Sequence, residues 1–161
     1  MAKIRICFDT SAVSRLFDSD TRLKSEIEAV EKLLRLIDDR KQWLSVVSPV
    51  FTMELADAPE EKQEQMVEAM VRFSIEDLPY DVEAEALTNA YINSGVLSAK
   101  RWHDLTHIAY ATLYKCRHLV SCDTTHIARE QTQARVETVN KSLRHATPQI
   151  VTPTKLLEVL R

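Results

Sequence analysis

At 161 residues, with 45% apolar and 28% charged residues, the chain has the size and balance of one globular domain, long enough to cover both faces of a sheet with helices. No stretch approaches the roughly 20 apolar residues of a membrane span, and the opening MAKIRICFD enters strand-like sequence at once instead of the apolar segment of a secretion signal. A cytoplasmic protein with a single domain over residues 1–161 is expected. Cys7, Cys116 and Cys122 are odd in number and lie in apolar surroundings, so they read as reduced thiols and not as a disulfide framework. The net charge of −3 lacks the Lys and Arg surplus of a nucleic-acid binder. It excludes little, because a metal neutralising a group of site carboxylates would offset it. The one glycine, Gly95, excludes glycine-rich phosphate loops and the nucleotide cofactors held by them.

The first apolar run, Ile4 to Phe8, reads as a strand that stops at Asp9-Thr10-Ser11. Leu23, Ile27, Val30, Leu34 and Ile37 then recur at spacings of three and four, the stripe of a helix packed on a sheet; Leu33 and Leu36 add a second apolar face that a partner could use. Trp43 to Val47 is the next strand. Ser48 and Pro49 resemble an N-cap and first helical residue, with helix over Val50 to Ala58 before Pro59 restarts the chain. A weaker strand follows at Phe73 to Ile75. Asp81 opens a helix through Tyr91 that the Asn93-Ser94-Gly95 turn ends, and Asp104 begins the helix DLTHIAYATLYKC. Leu119 to Cys122 and Gln149 to Val151 complete the strands. The alternation predicts an α/β fold: a three-layer α/β/α sandwich with a central, mostly parallel sheet. No repeat, low-complexity stretch or linker interrupts it.

Asp9 and Asp123 each follow a strand directly, so both belong at carboxyl ends. In a parallel sheet those ends share one edge, the edge where ligands bind in open α/β folds. Asp104 stands in the first turn of its helix, in line with Ile108 and Ala111 on the sheet-facing stripe, and Glu54 lies in the second turn of the helix after strand two. Four carboxylates converging there would repel one another unless a divalent cation or a shared proton compensated them, and oxygen-only ligands suit Mg²⁺ or Mn²⁺. Each acid also has a local reading. Asp9, Asp104 and Asp123 fit as caps of their own helices, and Glu54 fits as a solvated helix residue.

Other chemistries compete for the same residues. His103 and His107, four apart around Asp104, invite a zinc site or an HD-type metal-dependent phosphohydrolase built on His103 and Asp104. Zinc proteases use Glu at the second position, however, and HD enzymes are all-helical. Cys116, His118, Cys122 and His126 lack the spacing of a zinc knuckle. A haloacid-type phosphatase would require an acid where Ser11 stands.

Asp9-Thr10-Ser11 after an N-terminal strand, Met53-Glu54-Leu55, the run DLTHIAYAT from Asp104, VSCDTTHIA at residues 120 to 128 and the ending IVTPTKLLE together resemble the PIN-domain family, especially VapC-type toxin nucleases. The resemblance spans nearly the whole chain. It departs at Cys122-Asp123, where relatives often carry Trp-Asn, and at His103, where they often carry an acid. The resemblance implies metal-dependent hydrolysis of RNA, leaving 5′-phosphate and 3′-hydroxyl ends. Asp9, Asp104 and Asp123 would be direct or water-mediated Mg²⁺ or Mn²⁺ ligands, and Glu54 a ligand or an orienter of the attacking water. Thr10, Ser11 and His107 would be supporting groups. It further implies a cognate antitoxin, a homodimer, and adjacency of the first and fourth strands. Lys100, Arg101, Arg129, Arg135, Lys141 and Arg144 are candidate phosphate contacts. The alternative is a non-catalytic PIN-like module that binds RNA or protein.

Overall fold

The run Ile4–Phe8 forms β1, and its alternation decides the layering: Ile6 and Phe8 face one helical layer, Cys7 the other, and all three are fully buried. A strand covered on both faces has to be apolar on both. The computed structural model describes residues 2–160. Around β1 stand β2 (Trp43–Val47), β3 (Glu76–Asp77), β4 (His118–Val120) and β5 (Gln149–Val151), in the order β3-β2-β1-β4-β5. Every pair is parallel, with Cys7 opposite both Val46 and Leu119. Successive strands step outward from β1 to β3, and the chain then crosses to β4 on the other side of β1. The strand order therefore reverses between β1 and β4, where connections leave in opposite directions and open a crevice at the carboxyl edge.

The Ile6 and Phe8 face is covered by α1 (Thr10–Ser14), α2 (Lys24–Asp38), α3 (Pro49–Ala56), α4 (Glu60–Arg72) and α8 (Pro153–Leu160), through Val13, Val30, Leu33, Leu34, Phe51, Met66 and Leu156. The Cys7 face is covered by α5 (Val82–Asn93), α6 (Trp102–Leu113) and α7 (Glu130–Ser142), through Leu87, Tyr91, Leu105, Ile108 and Val136. The three-layer α/β/α sandwich expected from the alternation is the fold. In α2, Leu33 joins the buried stripe and Leu36 is half-buried. Among the described residues no helix is long and apolar enough to cross a membrane, and all three cysteines are free thiols.

Several boundaries differ from the sequence reading: α3 ends at Ala56 and not Ala58, α5 runs to Asn93, α6 ends at Leu113, and three further differences have a local reason. Phe73 to Ile75 is not a strand. Phe73 caps the carboxyl end of α4 and Ser74 takes φ 54°, a helix-ending conformation, while Phe73 and Ile75 are buried beneath the sheet. The strand is the two-residue edge piece that follows. β4 stops at Val120: Ser121 N–H still reaches the β5 carbonyl of Val151, but Cys122 N–H leaves the sheet and donates to Ser11 Oγ at 3.1 Å. Asp123 thus lies three residues beyond its strand. Finally, α6 starts at Trp102 after a 3₁₀ turn over Ala99–Arg101, which makes Asp104 its third residue.

Candidate functional site

The chain leaves β1 through Asp9, which is 2% exposed and caps α1: its Oδ1 accepts from Ala12 N–H at 2.9 Å and from Ser11 Oγ at 2.7 Å. Ser11 also stands 3.4 Å from Ser121 Oγ, and Ser121 accepts from Asp123 N–H at 3.0 Å. Two hydroxyls thus lace the ends of β1 and β4 together at the point where the strand order reverses. Burial raises the pKa of Asp9, against the pull of His107, Ser121, Ser11 and the Ala12 amide, which favour its charged form.

Asp104 enters from the first turn of α6. Its carboxylate makes no hydrogen bond among the described residues, and its nearest cation is Arg101, at 4.0 Å. Burial is the main cause that lifts its pKa to about 6; the charges of Asp9 and Asp123 add to it, while His107 and Arg101 oppose it. The charges of Asp9, just after β1, and of Asp123, in the segment after β4, thus reach Asp104 on α6, as smaller contributions than its burial.

Asp123 is held differently. Its Oδ1 accepts from Thr125 N–H (2.9 Å), Thr125 Oγ1 (2.7 Å) and His126 N–H (3.0 Å), and its Oδ2 lies 3.4 Å from His126 Nδ1. Burial pushes its pKa up, but the Thr125 hydroxyl, these amides and His126 outweigh it, so the carboxyl titrates below the ordinary range. Asp9 thus caps α1, whereas Asp123 holds the turn that follows it and caps no helix, since α7 begins only at Glu130. Asp104 caps nothing.

Glu54, on α3, accepts from Thr10 Oγ1 at 2.8 Å and meets His107 Nε2 at 3.0 Å, both through Oε1. Burial works to raise its pKa, yet the His107 and Thr10 hydrogen bonds and the charges of His107 and His103 leave it lowered, hence ionised at neutral pH. His107 is 1% exposed, and its Nδ1 sits 2.9 Å from Ser48 Oγ. Both of its ring nitrogens are engaged, so His103 and His107 do not offer a free histidine pair for zinc. His103 instead lies against the Trp102 ring, with centroids 3.8 Å apart. Ser48 precedes Pro49 as expected but makes no side-chain cap; its hydroxyl is turned to His107.

Among the described residues no three His, Cys, Asp or Glu side chains stand close enough to enclose a metal ion, which applies equally to Cys116, His118, Cys122 and His126. The acids therefore do not form a closed cage. A closed cage is not what Mg²⁺ requires, because it dehydrates reluctantly and binds through one or two carboxylates with several waters retained. Carboxylate oxygens, with Asp104 left unpaired and its pKa raised mainly by burial, suit a hydrated divalent cation better than a structural zinc. The largest surface groove, lined by Gln133, Glu137, Ile150 and Lys155 between α7 and β5, includes none of these acids.

Sequence reasoning grouped Asp9, Glu54, Asp104 and Asp123; the structure links Ser11 to Asp9 and joins Thr10 and His107 to Glu54, while no three of the acids stand close enough to enclose an ion among the described residues. It missed Ser48 and Ser121. A serine directly after each of β2 and β4, at the same carboxyl edge as the acids, was the available signal. Compared with known proteins, the chain matches no family model, and no curated protein matches it significantly.

Proposed function

We propose that this protein is a metal-dependent endoribonuclease that hydrolyses RNA phosphodiester bonds. The observation that carries the reading is a part-buried carboxylate, Asp104, left without a hydrogen bond among the described residues and near enough to Asp9, at the strand-order reversal, and to Asp123 for their charges to add to the burial that raises its pKa. Such an arrangement is destabilising in an isolated protein and is relieved by a divalent cation. Asp9, Asp104 and Asp123 would hold Mg²⁺ or Mn²⁺, directly or through water, with Glu54 as ligand or as orienter of the attacking water. When bound, the ion supplies a Lewis acid for the phosphoryl oxygens and raises the acidity of water.

The chain's own groups account for the remaining chemistry. Glu54 is ionised and half-buried, with its Oε2 free of hydrogen bonds from the described residues, so it can accept from a water molecule at the edge of the cluster. Arg101 and Lys100 are exposed beside Asp104 and offer positive charge to a phosphate backbone approaching the acids. By its resemblance to VapC-type nucleases the protein would be the toxin of a toxin-antitoxin pair, cytoplasmic and homodimeric, with a small antitoxin that occludes the acidic crevice.

The test incubates purified protein with total RNA and Mn²⁺ or Mg²⁺ and maps the cleavage ends, with Asp9→Asn as control. New 5′-phosphate ends that vanish in the variant support the reading; equal cleavage by the variant marks a contaminant and removes it. The second reading is a non-catalytic PIN-like module, which the spacing of the acids favours, since no three of them enclose an ion. Manganese separates the two: it stabilises a metal site against heat and leaves the melting of a module unchanged.

A further inference from the structure

Glu54 lies in the second turn of α3, and its side chain is held by contacts from other segments. Those contacts form one chain of groups. Ser48, 0% exposed at the end of β2, meets His107 Nδ1; His107 Nε2 meets Glu54 Oε1; the same oxygen accepts from Thr10, the neighbour of Asp9. His107 lies one helical turn beyond Asp104, so a single face of α6 presents Asp104 to the acids and the imidazole to Glu54. The proton positions follow from the partners. An ionised Glu54 only accepts, so Nε2 carries a hydrogen toward it, and Nδ1 of a neutral ring accepts from the Ser48 hydroxyl. Both hydrogen bonds to Glu54 fall on Oε1, which leaves Oε2 for the crevice.

We infer that His107 is a positioning residue: anchored on Ser48, its buried imidazole fixes the Glu54 carboxylate so that Oε2 is presented to the metal and to water. This rests on the proposed role of Glu54 in the metal site. A histidine satisfied only for packing would bridge two buried groups. This one runs from a sealed serine to a carboxylate whose side chain is 31% exposed, the arrangement by which an outer group orients a ligand.

The experiment exploits the two ring nitrogens separately. In His107→Gln the side-chain amide reaches the position of Nε2 and can still donate to Glu54; in His107→Asn it reaches only the Nδ1 position, toward Ser48. Each variant, wild type, Ser48→Ala, Glu54→Ala and the double variant His107→Asn with Glu54→Ala are checked for folding by circular dichroism. Each is then titrated with Mn²⁺ alone by electron paramagnetic resonance. His107→Asn should weaken Mn²⁺ binding about tenfold, the usual scale for loss of an orienting partner. His107→Gln should restore most of that loss, Ser48→Ala should weaken binding in the same direction by less, and His107→Asn should change nothing further once Glu54 is alanine. Where cleavage is measurable, the loss should fall on kcat more than on KM.

Folded Gln and Asn variants with equal Mn²⁺ affinity, or an Asn effect undiminished in the Glu54→Ala background, would overturn the positioning role. If Asn unfolds the protein, a Gln or Ser48→Ala variant that folds and leaves the wild-type Mn²⁺ affinity and kcat decides the same question: Gln should match, Ser48→Ala should not. Glu54→Ala that binds Mn²⁺ as tightly as wild type, with Asp9→Asn impaired, would instead remove Glu54 from the site. Wild-type affinity in both would sink the metal reading itself.

Discussion

Asp104→Asn should make the metal-free protein more stable at neutral pH, an uncommon sign for a substitution in a half-buried site. The carboxyl titrates near 6 in the folded protein against an ordinary 3.8, so the folded state binds its proton more tightly than the unfolded chain does. Stability is therefore greatest with Asp104 protonated, falls as pH rises from about 4 to 6, and stays low above that. At about 1.36 kcal/mol per pH unit the full gap is roughly 3 kcal/mol. The side chain retains part of its contact with water, and screening there reduces this to about 1–1.5 kcal/mol. For a chain of this length that corresponds to a rise in Tm of about 3–6 °C. Differential scanning calorimetry in EDTA at pH 4 and pH 7.5 checks it: the variant should melt higher at pH 7.5 and lose that advantage at pH 4. Adding Mn²⁺ should invert the ranking, because saturation at a hundred times Kd stabilises only the protein that binds, by about 2.7 kcal/mol. An Asp104→Asn protein less stable than wild type at pH 7.5 without metal would refute the claim that burial, aided by the charges of Asp9 and Asp123, disfavours the ionised carboxylate.

Ser11→Ala removes the donor to Asp9 and leaves the Cys122 amide without its acceptor, and urea unfolding should register a loss of about 1–3 kcal/mol. Asp123→Ala strips the turn after β4 of the side-chain oxygen that three donors share, at about 1 kcal/mol near neutral pH. Because the folded state lowers the pKa of Asp123, the stability it contributes is present above the ordinary carboxyl range and is lost as pH falls through the folded value. The gap between wild type and Asp123→Ala should accordingly close in acid. Lys115→Gly should stabilise by about 0.5–1 kcal/mol in the same urea assay, since Lys115 ends α6 at φ 54°, a conformation that costs a residue with a Cβ and costs glycine little.

That last position also explains which element boundaries the sequence concealed. Helix α5 ends in Asn93-Ser94-Gly95, with Gly95 at φ 74°, and its end was legible because glycine advertises the left-handed conformation. Helices α4, α6 and α7 end on the same conformation at Ser74, Lys115 and Arg144, none of which marks a stop. The consequence was largest at Ser74. With no visible helix end, the apolar pair Phe73 and Ile75 looked like a strand, although it is a helix terminus tucked under the sheet. The central strands had less ambiguity, because burial on both faces leaves β1 (IRICF) and β2 (WLSVV) apolar at all but Arg5 and Ser45.

The acids were legible for a different reason from the groups that hold them. Asp9 directly follows a buried strand and has few inexpensive places to go, so its position in the chain nearly fixes its position in space once the sheet is parallel; Asp123, three residues past β4, and Asp104 and Glu54, on helices, are fixed less directly. A serine after a strand has many such places. Ser48 looked like a helix cap because Pro49 follows it, and only the folded chain, which brings α6 within 2.9 Å, redirects the hydroxyl to His107. Ser121 carries no charge to betray it, and its partners, Ser11 and Asp123, lie on the two segments that the strand-order reversal brings together. His107 shared a helix face with Asp104 in plain view, yet whether its nitrogens met solvent, core or an acid depended on where α3 placed Glu54, 53 residues away. Charge in this protein is specified locally by the sheet edge, whereas its orientation is specified by neutral hydroxyls and one imidazole drawn from three other segments. Disturbing those neutral groups should accordingly change how the acids are aimed without changing where they are.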